Sequence, residues 1–397
     1  MTTFAPTDAD AVREAIRWAL SAGEPVEVVS GASKRAIGNP TQTAHTLDMS
    51  ACAGIESYEP EELVLTLRPG TPMDEVEDAL TARKQLLAFE PPNLAPLLGT
   101  EGRPTIGGTF GSNFAGPRRL SAGAVRDHML GLSAVAGRGD AFKAGGRVVK
   151  NVTGYDLARA LAGSWGTLAV ATELTIKVLP APETERTLLL AGLSPSAAVT
   201  AMATAMGSSA DVSGAAHLPA DVLPDGIAAL GRASATVLRL EGFGPSVDAR
   251  RQHLAALLPG EPATLDAAES AALWRHVRDA AAFVGTDAAV WRCSVTPSAG
   301  PALAAAAPAG SRTVFDWAGG LVWIETPATG DAGAAAIRGA IDAAGGGHAT
   351  LIRAGMDLRA RVPTFQPVGG AKGALAERLR VAFDPEGVLN PGRMARV

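Results

Sequence analysis

The segment from Pro104 to Leu179 constrains this chain more than any other. It opens on Gly107, Gly108 and Gly111, where bare backbone can approach a ligand closely. It continues through Pro117-Arg118-Arg119, the pair Arg126-Asp127 and a polar turn from Asn151 to Asp156. It closes on Gly163-Ser164-Trp165-Gly166-Thr167 and an alternating strand from Leu168 to Val178. Taken alone, the segment predicts a backbone-lined anion site.

Upstream, a short apolar strand from Pro25 to Val29 runs into Ser30-Gly31-Ala32-Ser33-Lys34-Arg35. Small residues followed by cations suit a nest of amides that holds an anion. An ordinary turn is the other reading of the same residues. The spacing matches neither the phosphate loop with its spaced glycines before Lys nor the dinucleotide pattern GxGxxG.

Composition sets the outer bounds. The chain has 397 residues, 47% hydrophobic and 19% charged, which predicts two globular domains. A net charge of -5 with no basic block argues against nucleic acid as a partner. Cys52 and Cys293 are the only cysteines, too few for a disulfide framework or a zinc cluster, and this fits a reducing compartment. The acidic N-terminal stretch has no apolar leader and no run reaches about 18 apolar residues, so no transmembrane segment is expected. The expected location is the cytoplasm, with membrane association only through partners.

In chain order, Asp8 or Thr7 caps a helix that ends at Gly23, and Thr71 caps a second, with Pro72 at its first position. Met129 to Ala144 reads as a hairpin, and Tyr155 to Gly163 as a helix. Beyond Pro182, strands and helices alternate without a ligand loop. This predicts a ferredoxin-like α+β module, one sheet with helices on one face. In Ala289 to Val295, the alternation places Val290, Arg292 and Ser294 on a wet face. No internal repeat is visible. Leu375 to Ala382 reads as a last helix, before a proline-fixed tail with Asn390-Pro391-Gly392.

These residues together resemble a known family. Gly31-Ala32-Ser33-Lys34-Arg35, Pro104-Thr105-Ile106-Gly107-Gly108, Gly116-Pro117-Arg118-Arg119 and Val125-Arg126-Asp127 carry the resemblance, with Val149 to Leu157, Gly166 to Glu173, Phe383-Asp384-Pro385 and Asn390-Pro391-Gly392-Arg393. The chain resembles flavoproteins of the vanillyl-alcohol oxidase / p-cresol methylhydroxylase superfamily. Within it, the chain is similar to the second FAD-binding subunits (E subunits) of bacterial glycolate oxidases. The resemblance implies an α+β fold: a two-lobed FAD-binding domain over 1–181, an α+β cap over 182–362, and a segment over 363–397 that returns to the FAD domain. It implies non-covalent FAD, with Ser30, Gly31, Ala32, Ser33 and Lys34 on the pyrophosphate. Thr105, Ile106, Gly107, Gly108 and Thr109 would run along the ribityl chain, with Ser112, Arg119 and Arg126 nearby. The backbone at Leu168, Ala169 and Val170 would meet the adenine, Pro91 and Pro92 the isoalloxazine, and Arg393 or Arg380 would add positive charge there.

Other roles remain open for some of these residues. Arg118-Arg119 also reads as a solvated pair, Asn151 and Asp156 as turn and cap residues, His45 and His128 as structural histidines, and Trp165 as a packing residue. Members of the superfamily that oxidise 2-hydroxy acids carry HGDGNxH on a cap strand. Here Gly345 to Thr350 holds one histidine, His348, too few ligands for a divalent metal. His348 as a base and Arg353 as a carboxylate grip are the catalytic candidates. Three functions follow as expectations. The first is an FAD-binding subunit in electron transfer beside a sister flavin subunit and an iron–sulfur subunit. The second is a stand-alone FAD-dependent dehydrogenase, and the third a non-catalytic structural subunit.

Overall fold

The computed structural model describes residues 2–146, 155–227, 229 and 231–394. The resemblance-bearing run from Val149 to Gly154, including Asn151, lies outside the described residues. Two larger sheets and a two-stranded pairing of Gln85–Leu86 with Leu179–Pro180 form the N-terminal part among the described residues. The first is a parallel three-stranded sheet of Thr2–Phe4, His45–Asp48 and Val26–Val29. Helix Ala9–Ala22 lays Val12, Ile16 and Ala19 into the core shared with Val26 and Leu47. Asp8 caps it, accepting from the amide of Ala11 at 2.9 Å, and Gly23 ends it in the left-handed conformation. The second sheet is antiparallel and five-stranded, in the order Ile55–Glu59, Val64–Leu67, Ala169–Lys177, Met129–Ala136 and Ala141–Gly145.

One expected cap fails. Pro72, not Thr71, precedes helix Met73–Thr81, and no side chain caps it. The Thr71 hydroxyl instead donates to the carbonyl of Arg68 at 2.7 Å and accepts from the amide of Gly54 at 2.9 Å. It holds the preceding turn rather than the helix.

The cap is an eight-stranded antiparallel sheet with a duplicated topology. Strands Thr184–Ala191, Gly214–Leu218, Ala235–Gly242 and Ala263–Leu265 alternate with helices Pro195–Met206 and Gly244–Leu257 as β-α-β-β-α-β. Strands Ala289–Ser294, Arg312–Asp316, Leu321–Thr326 and His348–Arg353 repeat this pattern with helices Gly300–Ala305 and Ala334–Ala343. In both halves the fourth strand flanks the first, and the third separates the first from the second. The halves join where His217 pairs with Phe315. The expectation of no internal repeat therefore holds for the residues and fails for the fold, because a shared topology requires only a shared polar pattern.

The expectation of helices on one face is also corrected. Leu188, Leu190 and Leu238 face the first two helices, whereas Leu189, Ala216 and Val237 face the other way, towards the N-terminal lobes. Helix Ala267–Arg278 packs on that second face through Leu273, Trp274 and Val277. Its start carries a capping box in which Asp266 accepts from the amide of Glu269 and Glu269 accepts from that of Asp266. Nor is the Arg292 side of its strand wet. Arg292 is 6% exposed and faces Phe114 of the N-terminal part.

Candidate functional site

An open groove runs along the seam between the three-stranded and five-stranded N-terminal sheets. One wall is the turn after Val26–Val29, with Ser30, Ala32, Ser33 and Lys34. The other is helix Ile106–Ser112, through Gly107, Gly108, Phe110 and Gly111, together with Trp165 and strand residues Ala169 to Ala171.

The glycines have separate reasons. A Cβ on Gly31, at φ +62°, would collide with the carbonyl oxygen of Arg103. A Cβ on Gly107 would lie 2.7 Å from Pro69. Gly108 and Gly111 are unconstrained by such contacts and look onto the groove, so their bareness leaves room for an occupant. Thr105 joins the walls: its hydroxyl donates to the Ser30 hydroxyl at 2.9 Å and accepts from the Gly108 amide at 3.2 Å.

Lys34 supplies the electrostatic signature. It is 8% exposed, lines the groove, and its ammonium has no acid or hydrogen-bond acceptor among the described residues. Burial without a counter-charge pushes it down to about 8. A groove that holds an unpaired buried cation beside open amides is built to receive an anion. Across it, Ala169–Lys177 pairs with Met129–Ala136 along one edge, but Val64–Leu67 reaches only Leu174 to Lys177 on the other. The second edge of residues 169–173 therefore has no strand partner among the described residues. Its free N–H and C=O groups can pair with a planar base.

The tail closes the end of the groove. The Val26 amide donates to the Val388 carbonyl at 2.8 Å. The Asn390 side chain accepts from the Val28 amide at 2.8 Å and donates to the Trp165 carbonyl at 2.8 Å. Arg393 lines the groove, but its guanidinium is spent on Glu27 at 3.3 Å and on the Arg35 carbonyl at 3.2 Å. It fixes the anion loop, rather than offering a free charge as the sequence suggested. Arg380 is held by Glu377 at 2.7 Å on helix Gly370–Phe383, which buries none of its residues.

Other predicted residues fall elsewhere. Ile106 and Leu168 are core residues. The Ser112 hydroxyl donates back to the Gly108 carbonyl at 2.9 Å. Pro91, Pro92 and Thr109 line a separate cleft of about 630 Å³, on the other side of the glycine helix. Arg126 is half-exposed beside Asp127, and Arg119 stacks on Trp317, 4.8 Å from its centroid. Neither lines the groove. Arg353 has no donor left for a ligand of the expected kind: it bonds the carbonyls of Ala288 and Phe283, the hydroxyl of Thr286 and the carboxylate of Glu325. His348 opens the last cap strand, opposite Ser294. His128 is bracketed by the carbonyls of Lys177 and Ala122, a structural histidine.

Sequence reading missed the charge network between cap and lobes. Arg239, 1% exposed, bonds both oxygens of Glu90 at 2.8 Å. Arg118 reaches Glu90 at 3.0 Å and also holds Glu241. Arg118 is thus a part-buried, paired interdomain residue, not a solvated one. Coupled to these arginines, Glu241 stays ionised, held down to about 2 against its own burial.

Comparison with known proteins agrees with this geometry. Residues 2–145 match the family model of an FAD binding domain. The chain is 34% identical over 385 residues to the glycolate oxidase subunit GlcE of Escherichia coli (strain K12), covering 97% of this chain and 96% of that one. It is 36% identical over 150 residues to the glycolate oxidase subunit GlcD of Bacillus subtilis (strain 168), a match to 38% of this chain and 30% of that protein. The structure of p-cresol methylhydroxylase with substrate bound superposes with a TM-score of 0.73 at 14% identity, over 99% of this chain and 88% of the other. With the groove, the duplicated cap and the returning tail all in one chain, and with identity running nearly end to end, this protein belongs to the family of the glycolate oxidase subunit GlcE.

Proposed function

We propose that this chain is the FAD-binding subunit of a glycolate (2-hydroxy acid) oxidase complex and takes part in its electron transfer. The observation that carries the reading is Lys34, a buried cation without a partner among the described residues, in a groove walled by open backbone. The residues fit FAD. Ser30 to Lys34 and Gly108 would hold the diphosphate, the free edge at Ala169 and Val170 the adenine, and Trp165 and Phe110 the apolar walls. Bound FAD supplies a two-electron acceptor for oxidation of a hydroxy acid. The chain binds and orients it without a covalent link.

The names of the relatives as subunits support a sister flavin chain as partner. An iron–sulfur subunit completes the reading, because this chain's two cysteines are both buried and cannot supply the four thiolates of a cluster. Among the described residues, no helix is long and apolar enough to cross a membrane. Contact with one would therefore run through a partner.

The purified chain, stripped of flavin and titrated with FAD, should regain a stoichiometric flavin spectrum. Failure to regain it would end the cofactor reading. Affinity capture from cells should bring down a flavin subunit and a cysteine-rich subunit. A chain that stays alone yet bleaches its flavin with glycolate would instead be a self-sufficient dehydrogenase.

A further inference from the structure

Helix Gly370–Phe383 is 14 residues long and buries none of them. Little in the chain itself accounts for its being a helix. No side chain caps its start at Gly369, and Gly373 costs it about 1 kcal/mol relative to alanine. A helix of this length is marginal in water unless one face is packed. The body of the protein holds only its end. There Arg138 donates to the carbonyl of Ala382 at 2.7 Å, and the Phe383 ring meets that of Phe142 edge-on at 5.9 Å.

Its residues divide by side. Gly373, Arg380 and Phe383 are half-buried and fall together on the inner side. Opposite them runs an apolar stripe roughly 160° wide. Leu375, Leu379 and Ala382 lie along it at i, i+4 and i+7, flanked by Ala371, Ala374 and Val381. Leu375 is 65% exposed and Val381 47%. An apolar stripe turned away from the body is the face that an amphipathic helix lays into a groove.

Charge decides between the occupants. Arg378 projects from the middle of the stripe and has no ion pair among the described residues. The acid of the helix, Glu377, lies off the stripe and is held by Arg380 at 2.7 Å. A second copy, paired about a twofold axis, would set Arg378 against itself with no acid on either stripe. A bilayer surface suits a helix with its cations on the polar face, not one with an arginine amid alanines on the apolar face. What fits is a protein groove with apolar walls and a carboxylate at its centre.

We infer that the outer face of helix Gly370–Phe383 is the docking surface for the sister flavin subunit, whose groove receives Leu375 and Leu379 and whose carboxylate meets Arg378. This rests on the subunit reading above, which supplies the partner, and adds where the partner sits. The helix leads straight into the tail. Asp384, at its end, accepts from the amides of Val388 and Leu389 at 3.0 and 2.9 Å, just before Asn390 closes the groove. A chain docked on the helix is therefore joined, through one turn, to the segment that braces the flavin loop.

The test co-expresses the full chain with the tagged sister flavin subunit, with and without the cysteine-rich subunit, and reads how much of the chain is retained on the tag. Leu375→Glu with Leu379→Glu should lower retention about tenfold or more, as loss of central apolar anchors does. Arg378→Glu should lower it about tenfold at low salt, and Arg378→Lys should stay close to the wild type. Leu257→Glu, at an exposed leucine on a cap helix, should change nothing. Flavin content and the urea midpoint should be the same throughout, because the helix buries nothing within the chain. Wild-type retention of the double variant would overturn the surface and leave the subunit reading standing. A wild type that is itself not retained would bring down both. Retention that needs the cysteine-rich subunit would overturn the assignment to the sister chain. Two measurements on the chain alone would overturn it in other directions, if the double variant abolished the effect. Sedimentation with vesicles of phosphatidylcholine and phosphatidylglycerol would make the stripe a lipid face, and a dimer would make it a contact between copies. If the double variant fails to fold, Arg378→Glu decides alone.

Discussion

Two groups of arginines lie where the cap meets the flavin lobes, and they are built in opposite ways. Arg118 and Arg239 are enclosed with Glu90 and Glu241, each cation facing acid oxygens. Arg119 and Arg292 lie against rings, with no ion pair among the described residues. Sequence neighbours thus divide between them, Arg118 to one group and Arg119 to the other. A buried charge is costly unless paired, so the paired group is architecture, and the unpaired one carries a desolvation cost that only the rings offset. Lys34 in the groove repeats the second pattern with a different cation.

Removing an acid from the paired group should have the largest effect. Glu90→Gln leaves Arg239 and Arg118 short of charge, and should lower stability in urea by about 3–5 kcal/mol. A loss below about 1 kcal/mol would mean that the network is solvated and the contrast false. Next comes Asp316, raised by burial from the ordinary carboxylate range to about 7. Its folded pKa exceeds its unfolded one, so its contribution is complete below pH 4 and declines as pH rises through 7. The urea midpoint should fall across that window, on the order of 2–4 kcal/mol in all, and Asp316→Asn should flatten the slope. A wild-type midpoint that rose over the same range would show Asp316 ionised and already neutralising Arg292.

Lys34→Met should weaken FAD binding roughly 10–100-fold, the worth of a charge-assisted contact. The wild type should also bind less tightly as pH rises above about 8, where the free ammonium loses its proton. A pH-independent affinity in the wild type would place the diphosphate elsewhere. The smallest effect carries the most informative sign. Arg292→Met should raise the thermal midpoint of the ligand-free chain by a few degrees at most, since an unpaired buried charge disappears. A large fall would make Arg292 structural and erase the difference between the groups.

Much of the groove was legible from residues alone, because it is local. The run Ser30 to Lys34 and the glycines after Thr105 have chemistry that depends on backbone, and short spacing reports backbone. What stayed hidden depended on which face a strand shows. The alternation in Ala289–Ser294 separates two faces but cannot say that both are covered, so Arg292 read as wet. Arg353 read as a free grip because its acceptors, Ala288, Phe283 and Glu325, lie far away in sequence. Helix Ala267–Arg278 was passed over although Asp266 and Glu269 form its capping box, and its packing on the inner face has no local signal at all. The glycine helix likewise separates Pro91 and Pro92 from the groove, a matter of three-dimensional placement that no motif encodes.

The returning tail imposes an order on synthesis. Val26, Val28 and the Lys34 loop are made early, whereas Val388, Asn390 and Arg393, which hold them, are made only after the whole cap. A nascent chain whose lobes and cap have emerged still has a groove open at one end. The contacts that brace the anion loop therefore form only after translation has passed the cap, so a chain cut before residue 384 should hold flavin more weakly than the full chain, which a flavin titration of the two would read.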